Sequence, residues 1–226
     1  MKPTVLLVHG AWHSGQGFDL LQAELAKLDI NSKTVELSSV AAADKPIGDM
    51  YQDAQLVRDA ILGIEGECVV LGHSYGGLPI TQGTSGLKNV KSLIYLTAFM
   101  LDEGETLYQA CGAVDPEWWI RKEDNLRLQA GRPKEIFYNK CSAADAQYMS
   151  DSLRDQSLTS FNQPITNVAW KEFDSTYIIC EADNAIPVFA QEAMSSRAKN
   201  IIRMDADHSP FRSCPTELAE IINKIL

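Results

Sequence analysis

Hydrophobic residues along this chain occur in short clustered runs and in longer spaced patterns. Six short runs are rich in β-branched and aliphatic residues, and several are apolar at consecutive positions. That pattern predicts strands that are covered on both faces. The predicted strands are Thr4–Val8, Lys33–Leu37, Glu67–Leu71, Lys91–Leu96, Ser175–Cys180 and Asn200–Met204.

Segments with helical spacing lie between these strands. Apolar residues recur three or four positions apart from Phe18 to Leu28, from Met50 to Ile61 and from Leu218 to Ile225. Pro215 precedes the last segment, at a position where a helix start tolerates proline. Alternating strands and helices predict a single α/β domain over residues 1–226, with a parallel, doubly wound sheet.

One region interrupts this alternation. Residues 100–171 carry no clear strand pattern and are rich in helix formers and large aromatic side chains. Because a structureless loop of that length is uncommon in a compact domain, we predict a largely helical cap inserted after the fourth strand. These aromatics could all form the small core of the cap, but we expect some to do so and others to line a pocket. The expected pocket residues are Trp118 and Trp119 of the cap, together with Trp12 after the first strand.

Composition narrows the class of protein. The chain has 226 residues, of which 45% are hydrophobic and 22% charged, which suits a folded domain with a core. The net charge is −10 and basic residues occur singly or in short pairs. Nucleic acid and anionic membranes are therefore poor partners. The apolar run Val5 to Val8 is too short for a signal peptide or a membrane span.

The cysteines point to a reducing compartment. There are five, an odd number, and they form no C-x-x-C pair. Cys68 and Cys180 lie in apolar strand-like runs and are expected to be small buried residues. This usage favours the cytoplasm over a disulfide framework.

The stretch "VVLGHSYGGLP" contains a serine between glycines at the end of a predicted strand. Gly72 to Gly76 matches the G-x-S-x-G nucleophile elbow, a sharp strand-to-helix turn that exposes the serine hydroxyl. Glycines at both ends prevent side-chain collisions in so tight a turn. Ser74 is thus the candidate nucleophile, although an ordinary turn of small residues would look similar.

A serine hydroxyl needs a base, and His208 in "DADHSPF" follows the last predicted strand. Functional residues collect at the carboxyl ends of parallel strands, which favours His208 over His9, His13 and His73. Asp183 follows the fifth strand and completes the chain order Ser, Asp, His of this kind of triad.

Two other carboxylates compete with Asp183 for the histidine. Asp102 follows the fourth strand and Glu181 lies just before Asp183. Both remain alternatives for the acid. Asp205 and Asp207 are expected to be solvated loop charges.

An oxyanion hole and a metal site are the remaining candidates. The backbone N–H groups of Tyr75, after the nucleophile, and of Ala11, in "HGAW", are the expected oxyanion donors. His9 and His13 are four residues apart but lack the glutamate of H-E-x-x-H, so we predict no metal. No Gly-rich phosphate loop is present in the sequence, and no cofactor is predicted.

The motifs "LLVHGAW", "LGHSYGG", "EADNAIP" and "DHSPF" resemble the compact α/β-hydrolases that include plant methylesterases, hydroxynitrile lyases and bacterial esterases. The resemblance implies a six-stranded sheet of order 2-1-3-4-5-6 with a helical cap, and no cofactor. It also implies Ser74 as nucleophile, Asp183 as acid and His208 as base. In the lyases a lysine follows the histidine and the plant methylesterases tend to have methionine there. This chain has Ser209, which looks more like the bacterial esterases.

The sequence thus predicts a serine hydrolase that cleaves a small carboxylic ester, lactone or thioester with an apolar portion, through an acyl-enzyme. Two alternatives use the same residues: a lyase or cyclising hydrolase of a biosynthetic pathway, and a ligand receptor with little turnover. The oligomeric state is open, with a homodimer as one option.

Overall fold

The computed structural model describes residues 2–226 and contains one six-stranded parallel sheet. Its strands are β1 (Thr4–Val8), β2 (Ser32–Val35), β3 (Cys68–His73), β4 (Val90–Leu96), β5 (Ser175–Cys180) and β6 (Asn200–Met204). They are hydrogen-bonded in the order β2-β1-β3-β4-β5-β6. The predicted sheet order is therefore confirmed. The bounds of β1, β5 and β6 match the predicted ones, and the others differ by one or two residues at an end.

Helices join the strands. The longer ones outside the cap are α1 (Asp19–Lys27), α2 (Met50–Leu62), α3 (Gly77–Gly83), α4 (Val188–Ser195) and α5 (Pro215–Ile225). The remaining helical segments are Gly15–Phe18, Ser74–Gly76, Leu107–Ala110, Pro133–Ile136, Ala143–Asp151, Leu158–Asn162, Ala169–Lys171 and Pro210–Ser213. Helix α1 packs on α5, and α2 packs on α3. Within residues 2–226, no helix has both the length and the apolar character needed to cross a membrane.

Helix α2 shows how the sequence pattern becomes structure. Asp49 caps its first turn, since the carboxylate accepts a hydrogen bond from the backbone N–H of Gln52 at 3.0 Å. The apolar residues at helical spacing form the buried face, as predicted: Met50, Ala54, Val57 and Ile61. Asp53 lies on that same face and is fully buried, which the apolar pattern did not indicate.

The cap differs from the predicted one. It contains three short strands, Trp119–Arg121, Arg127–Ala130 and Asp155–Ser157, which form an antiparallel sheet with Val40–Ala41. The cap follows the fourth strand and carries helices, as predicted, but its antiparallel strands were not predicted. Strands of two to four residues are too short to show a period of two along the chain, and one of them lies outside the cap segment.

The register of the main sheet brings functional loops together. Val8 of β1 pairs with Gly72 of β3, and Cys180 of β5 pairs with Met204 of β6. The strands are parallel, so the loops that follow β1, β3, β5 and β6 all open at one edge. The cap segment between β4 and β5 contributes side chains to the same place.

Candidate active site

The turn at Ser74 has the geometry of a strained elbow. Strand β3 ends at His73, and Ser74 has φ = 53°, a left-handed conformation uncommon for a residue with a side chain. A Cβ atom on Gly76 would lie 2.6 Å from the carbonyl oxygen of Val8, so only glycine lets this turn pass so close to β1. Helix α3 follows directly, as the sequence predicts.

His208 and Asp183 form a buried pair. Nδ1 of His208 lies 2.7 Å from Oδ2 of Asp183, and their side chains are 2% and 0% exposed. A carboxylate oxygen accepts, so Nδ1 of His208 carries the proton and donates it. The neutral ring then has its lone pair on Nε2, which is the tautomer that a general base requires.

Several further donors hold the Asp183 carboxylate. Its Oδ1 accepts hydrogen bonds from the backbone N–H groups of Ala185 and Ile186, at 2.7 and 3.0 Å. Its Oδ2 accepts from the Thr97 hydroxyl and, at 3.4 Å, from the Gln191 amide. Sequence reasoning missed Thr97 and Gln191. A polar residue directly after β4 was the one signal that could have pointed to Thr97.

The two rival acids have other partners. The Asp102 carboxylate accepts a hydrogen bond from the Lys171 ammonium at 2.5 Å, and this bond lowers the pKa of Asp102. Glu181 accepts from the Arg203 guanidinium at 2.9 Å and is exposed. Of these three carboxylates, only Asp183 contacts the ring of His208 among the described residues.

Asp207 is not a solvated charge, which corrects the prediction. It is fully buried, and its carboxylate accepts from the backbone N–H groups of Lys140 and Ser209, at 2.9 and 3.1 Å, and from the Ser213 hydroxyl at 2.7 Å. Asp205, in contrast, is exposed, as predicted. Asp207 therefore connects the loop that carries His208 to the cap.

His73, the residue before Ser74, supports the same loop from below. Its Nε2 lies 2.8 Å from the carbonyl oxygen of His208 and must donate, while its Nδ1 has no hydrogen-bond partner within residues 2–226. Burial lowers the pKa of His73 well below its ordinary value, so the ring is neutral.

The histidines after β1 are also committed to hydrogen bonds. His13 donates from Nδ1 to the Ala11 carbonyl at 2.7 Å, and its Nε2 accepts from the Tyr138 hydroxyl at 2.8 Å. Burial lowers the pKa of His13 to about 3. Nε2 of His9 accepts from the Leu37 backbone N–H at 3.1 Å. Within the part of the chain that the structure describes, no group of three or more potential ligands is arranged to hold a metal ion.

The expected oxyanion donors border the serine. Ala11 and Tyr75 are buried and line the same pocket as Ser74 and His208. A Cβ atom on Gly10 would lie 2.9 Å from Cβ of Ser74, so glycine allows the loop after β1 to approach the elbow.

The cap holds this loop in place. Trp12, with φ = 63°, donates from its indole nitrogen to the Leu128 carbonyl at 2.9 Å and from its backbone to Gln156 at 3.3 Å. Its own carbonyl accepts from the Arg154 backbone N–H at 2.9 Å. Three cap residues thus stabilise a backbone conformation that is uncommon for tryptophan.

The side chain of Tyr75 contacts the buried carboxylate of α2. Its hydroxyl donates to Oδ2 of Asp53 at 2.7 Å, and Oδ1 of Asp53 accepts from the backbone N–H of Ser39 at 3.0 Å. Burial raises the pKa of Asp53 and that of Tyr75. This pair explains the buried aspartate: it fixes the residue that follows the serine.

The pocket above Ser74 and His208 is narrow and almost entirely apolar. Its walls are mainly aromatic: Trp12, Phe99, Trp118, Trp119, Phe137 and Phe161. Trp12 contacts Trp118 and Trp119 with ring centroids 5.3 and 6.2 Å apart. The free space inside is about 30 Å³, room for roughly two water molecules. Such walls favour a bound molecule in which an apolar group lies next to the polar group that faces Ser74.

Comparison with known proteins agrees with this fold. The chain matches the alpha/beta hydrolase family over residues 5–221. It is 30% identical to alpha/beta hydrolase nvfD of Aspergillus novofumigatus, over 98% of this chain and 96% of that protein. It is 33% identical to a carbendazim hydrolyzing esterase of a Nocardioides species, over 95% and 96% of the two chains. The crystal structure of a pyrethroid hydrolase from Sphingobium faniae shares the fold, with a TM-score of 0.86, 24% identity and coverage of 99% and 96%.

The fold and the extent of these matches define an enzyme class. This chain belongs to the alpha/beta hydrolase family. The resemblance found in its motifs is confirmed at the level of the family, and relatives of this chain are named as a carbendazim hydrolyzing esterase and a pyrethroid hydrolase.

Proposed function

We propose that this protein is a cofactor-independent serine esterase that acts on small carboxylic esters with an apolar portion. The observation that carries the proposal is the juxtaposition of three features at one pocket. These are the strained turn at Ser74, the buried pair of His208 and Asp183, and the aromatic walls.

The proposed mechanism follows from these contacts. Oγ of Ser74 attacks the ester carbonyl while Nε2 of His208 takes the hydroxyl proton. The backbone N–H groups of Ala11 and Tyr75 stabilise the negative charge that develops on the carbonyl oxygen; one such donor is worth about 2.7–4 kcal/mol. His208 then returns the proton to the leaving alcohol, and water, activated by the same histidine, releases the acyl group. Asp183 keeps the ring in the required tautomer and stabilises its charged form.

A covalent probe tests the nucleophile. A fluorophosphonate should add once per chain, as measured by intact mass, and Ser74→Ala should abolish both labelling and ester turnover. Ser196 is an exposed serine directly after α4, and the control Ser196→Ala should label as the parent protein does. Labelling that persists in Ser74→Ala would assign the nucleophile to another residue. Labelling without turnover of any ester would favour the receptor alternative.

The same site bears on the lyase alternative. Ser209 is buried and uncharged, so the position after His208 offers no cation to stabilise a cyanide leaving group. We therefore expect ester hydrolysis to exceed mandelonitrile cleavage by a wide margin. Comparable rates on the two substrates would contradict the esterase proposal.

We also propose a cytoplasmic location. The five cysteines, all within residues 2–226, are free thiols, and free thiols suit a reducing compartment. Fractionation of host cells, followed by antibody detection of the protein in each fraction, would test this location. The protein should be found in the cytoplasmic fraction.

A further inference from the structure

An apolar groove lies next to the catalytic pocket and is open to solvent. We call it the outer groove. It runs between the cap helix Leu107–Ala110 and α4, and its walls are Phe99, Leu101, Ala110, Phe189, Ala190 and Met194. Its two sections have volumes of about 390 and 290 Å³, about ten times the free space beside Ser74.

The outer groove and the pocket share part of their walls. Phe99, Cys111, Ala185 and Ile186 line both. A ligand that extends from Ser74 into the groove would pass these four side chains. The pocket holds roughly two water molecules, so a substrate with a bulky portion has room for that portion mainly in the groove.

The groove surface is suited to an apolar chain. Phe189 lies in the wall of both sections of the groove and is 75% exposed, so it presents apolar surface to solvent there. The charges at its outer end neutralise each other, because the Arg197 guanidinium donates two hydrogen bonds to the Glu105 carboxylate at 2.7 and 2.8 Å. The surface between Ile186 and that ion pair is mainly aliphatic and aromatic, with Gln109 as an uncharged polar side chain in the walls.

The geometry points to the alcohol arm of the ester as the occupant of this groove; the inference rests on the function proposed above. In acyl transfer the histidine returns its proton to the leaving oxygen, so the alcohol side of the ester faces His208. Ala185 and Ile186, at the junction, both donate to the partner of that histidine, Asp183. The groove therefore opens on the leaving-group side of the serine.

The acyl side has a different environment. Trp12 follows Ala11 directly, and its ring lies 5.8 Å from that of Phe161, which in turn lies 5.0 Å from Trp119. These rings close the oxyanion side of the pocket. The substrate class that fits both halves is an ester of a short or compact acid with a long apolar alcohol.

Two ester series test this assignment. One keeps the acetyl group and lengthens the alcohol from ethyl to octyl; the other keeps the ethyl group and lengthens the acid from acetic to octanoic. We expect kcat/KM to rise with alcohol length, by up to about fourfold per buried methylene, and to rise little or fall with acid length. The opposite dependence would overturn the assignment.

Filling the groove should remove this preference. Ala190→Phe, on α4, should lower the ratio of kcat/KM for octyl acetate to that for ethyl acetate at least tenfold. Ala110→Phe fills the facing wall and provides a second variant if the first does not fold. Ala144 is exposed on the cap helix Ala143–Asp151, and the control Ala144→Phe should keep the parent ratio. An unchanged ratio in both groove variants would refute the inference.

Binding separates this inference from the proposed function. In Ser74→Ala protein, calorimetry with octyl acetate should show binding at least tenfold tighter than in the same protein with Ala190→Phe. If the parent protein hydrolyses no ester but this difference is found, the groove stands and the esterase proposal fails. If ester turnover is found without the difference, the groove assignment alone is wrong.

Discussion

At the scale of single residues, the carboxylate of Asp183 decides the state of His208. All of the groups that surround this carboxylate are donors: the ring Nδ1, the Thr97 hydroxyl, the Gln191 amide and two backbone N–H groups. An acceptor surrounded by donors holds the ring tautomer with Nδ1 protonated. The orientation and the tautomer of the His208 ring therefore depend on one side chain.

Asp183→Asn tests this dependence. The amide presents N–H groups where only donors are present, so the ring should adopt the other tautomer and lose its free lone pair at Nε2. The corresponding change in a serine protease lowers kcat by about 10⁴, and we expect a similar loss here, mainly in kcat. Steady-state kinetics, with circular dichroism to check the fold, measure it.

Asp102→Asn is the matched control. Its carboxylate contacts Lys171 at the surface, and exposed ion pairs are worth about 0–1 kcal/mol. Activity should therefore change little. A severe loss in Asp102→Asn combined with a mild one in Asp183→Asn would transfer the role of the acid to Asp102.

At the scale of elements, the loop after β6 is attached to the cap through Asp207. One oxygen of this carboxylate accepts from the Lys140 backbone of the cap and the other from Ser209 and Ser213 on the far side of His208. The position of the histidine thus depends on a contact between two segments that are far apart in sequence.

Replacing Asp207 with Asn should loosen this attachment. The amide NH₂ group of the asparagine must then face another hydrogen-bond donor inside the protein. This should lower the free energy of unfolding by about 1–3 kcal/mol. A displacement of the histidine should lower kcat by about ten- to a hundredfold, with KM changed less, since the pocket walls remain. Urea unfolding and steady-state kinetics measure the two effects.

Asp205→Asn is the control for this experiment. The side chain of Asp205 is 84% exposed, and its contact with the Lys140 ammonium lies at the protein surface. Its unfolding free energy should change by no more than about 0.5 kcal/mol. Equal effects in the two variants would mean that Asp207 has no special role in positioning the loop.

At the scale of the whole molecule, three buried neutral histidines make stability depend on pH. Burial lowers the pKa values of His9, His13 and His73 below the ordinary value of 6.5, that of His13 to about 3. Below pH 6.5 the unfolded chain binds protons that the folded protein does not, so stability falls as the pH falls. Burial raises the pKa of Asp53, so above pH 3.8 this group lowers the unfolding free energy as the pH rises. Its effect opposes that of the histidines, but it is a single group and they are three.

Urea unfolding at pH 7.5 and 5.5 measures this effect. Each histidine contributes up to about 1.4 kcal/mol per pH unit below 6.5, so the unfolding free energy should be lower by several kcal/mol at pH 5.5. His13→Asn removes one titrating group and should make the dependence shallower. An equal midpoint at both pH values would show that the buried histidines do not titrate on unfolding.

Much of this architecture could be predicted from local pattern alone. The sequence predicts the strands of the main sheet and the long helices correctly, because the spacing of apolar residues indicates which face of each element is buried. The elbow at Ser74 was found because a tight turn next to β1 requires glycine at fixed positions. The order of the polar residues after the strands pointed to one edge of the sheet, because parallel strands end together.

Contacts between distant segments decided the rest. The cap strands were missed because a strand of three residues is stabilised by its partner, and one partner, Val40–Ala41, lies before the second helix. The sequence predicts a solvated charge at Asp207, and this prediction is wrong. Whether a carboxylate can be buried depends on the donors around it, and one of these donors, the Lys140 backbone N–H, is distant in sequence. Local pattern thus determined the sheet and the sharp turn at Ser74, whereas the surroundings of each charged group were decided only by tertiary packing.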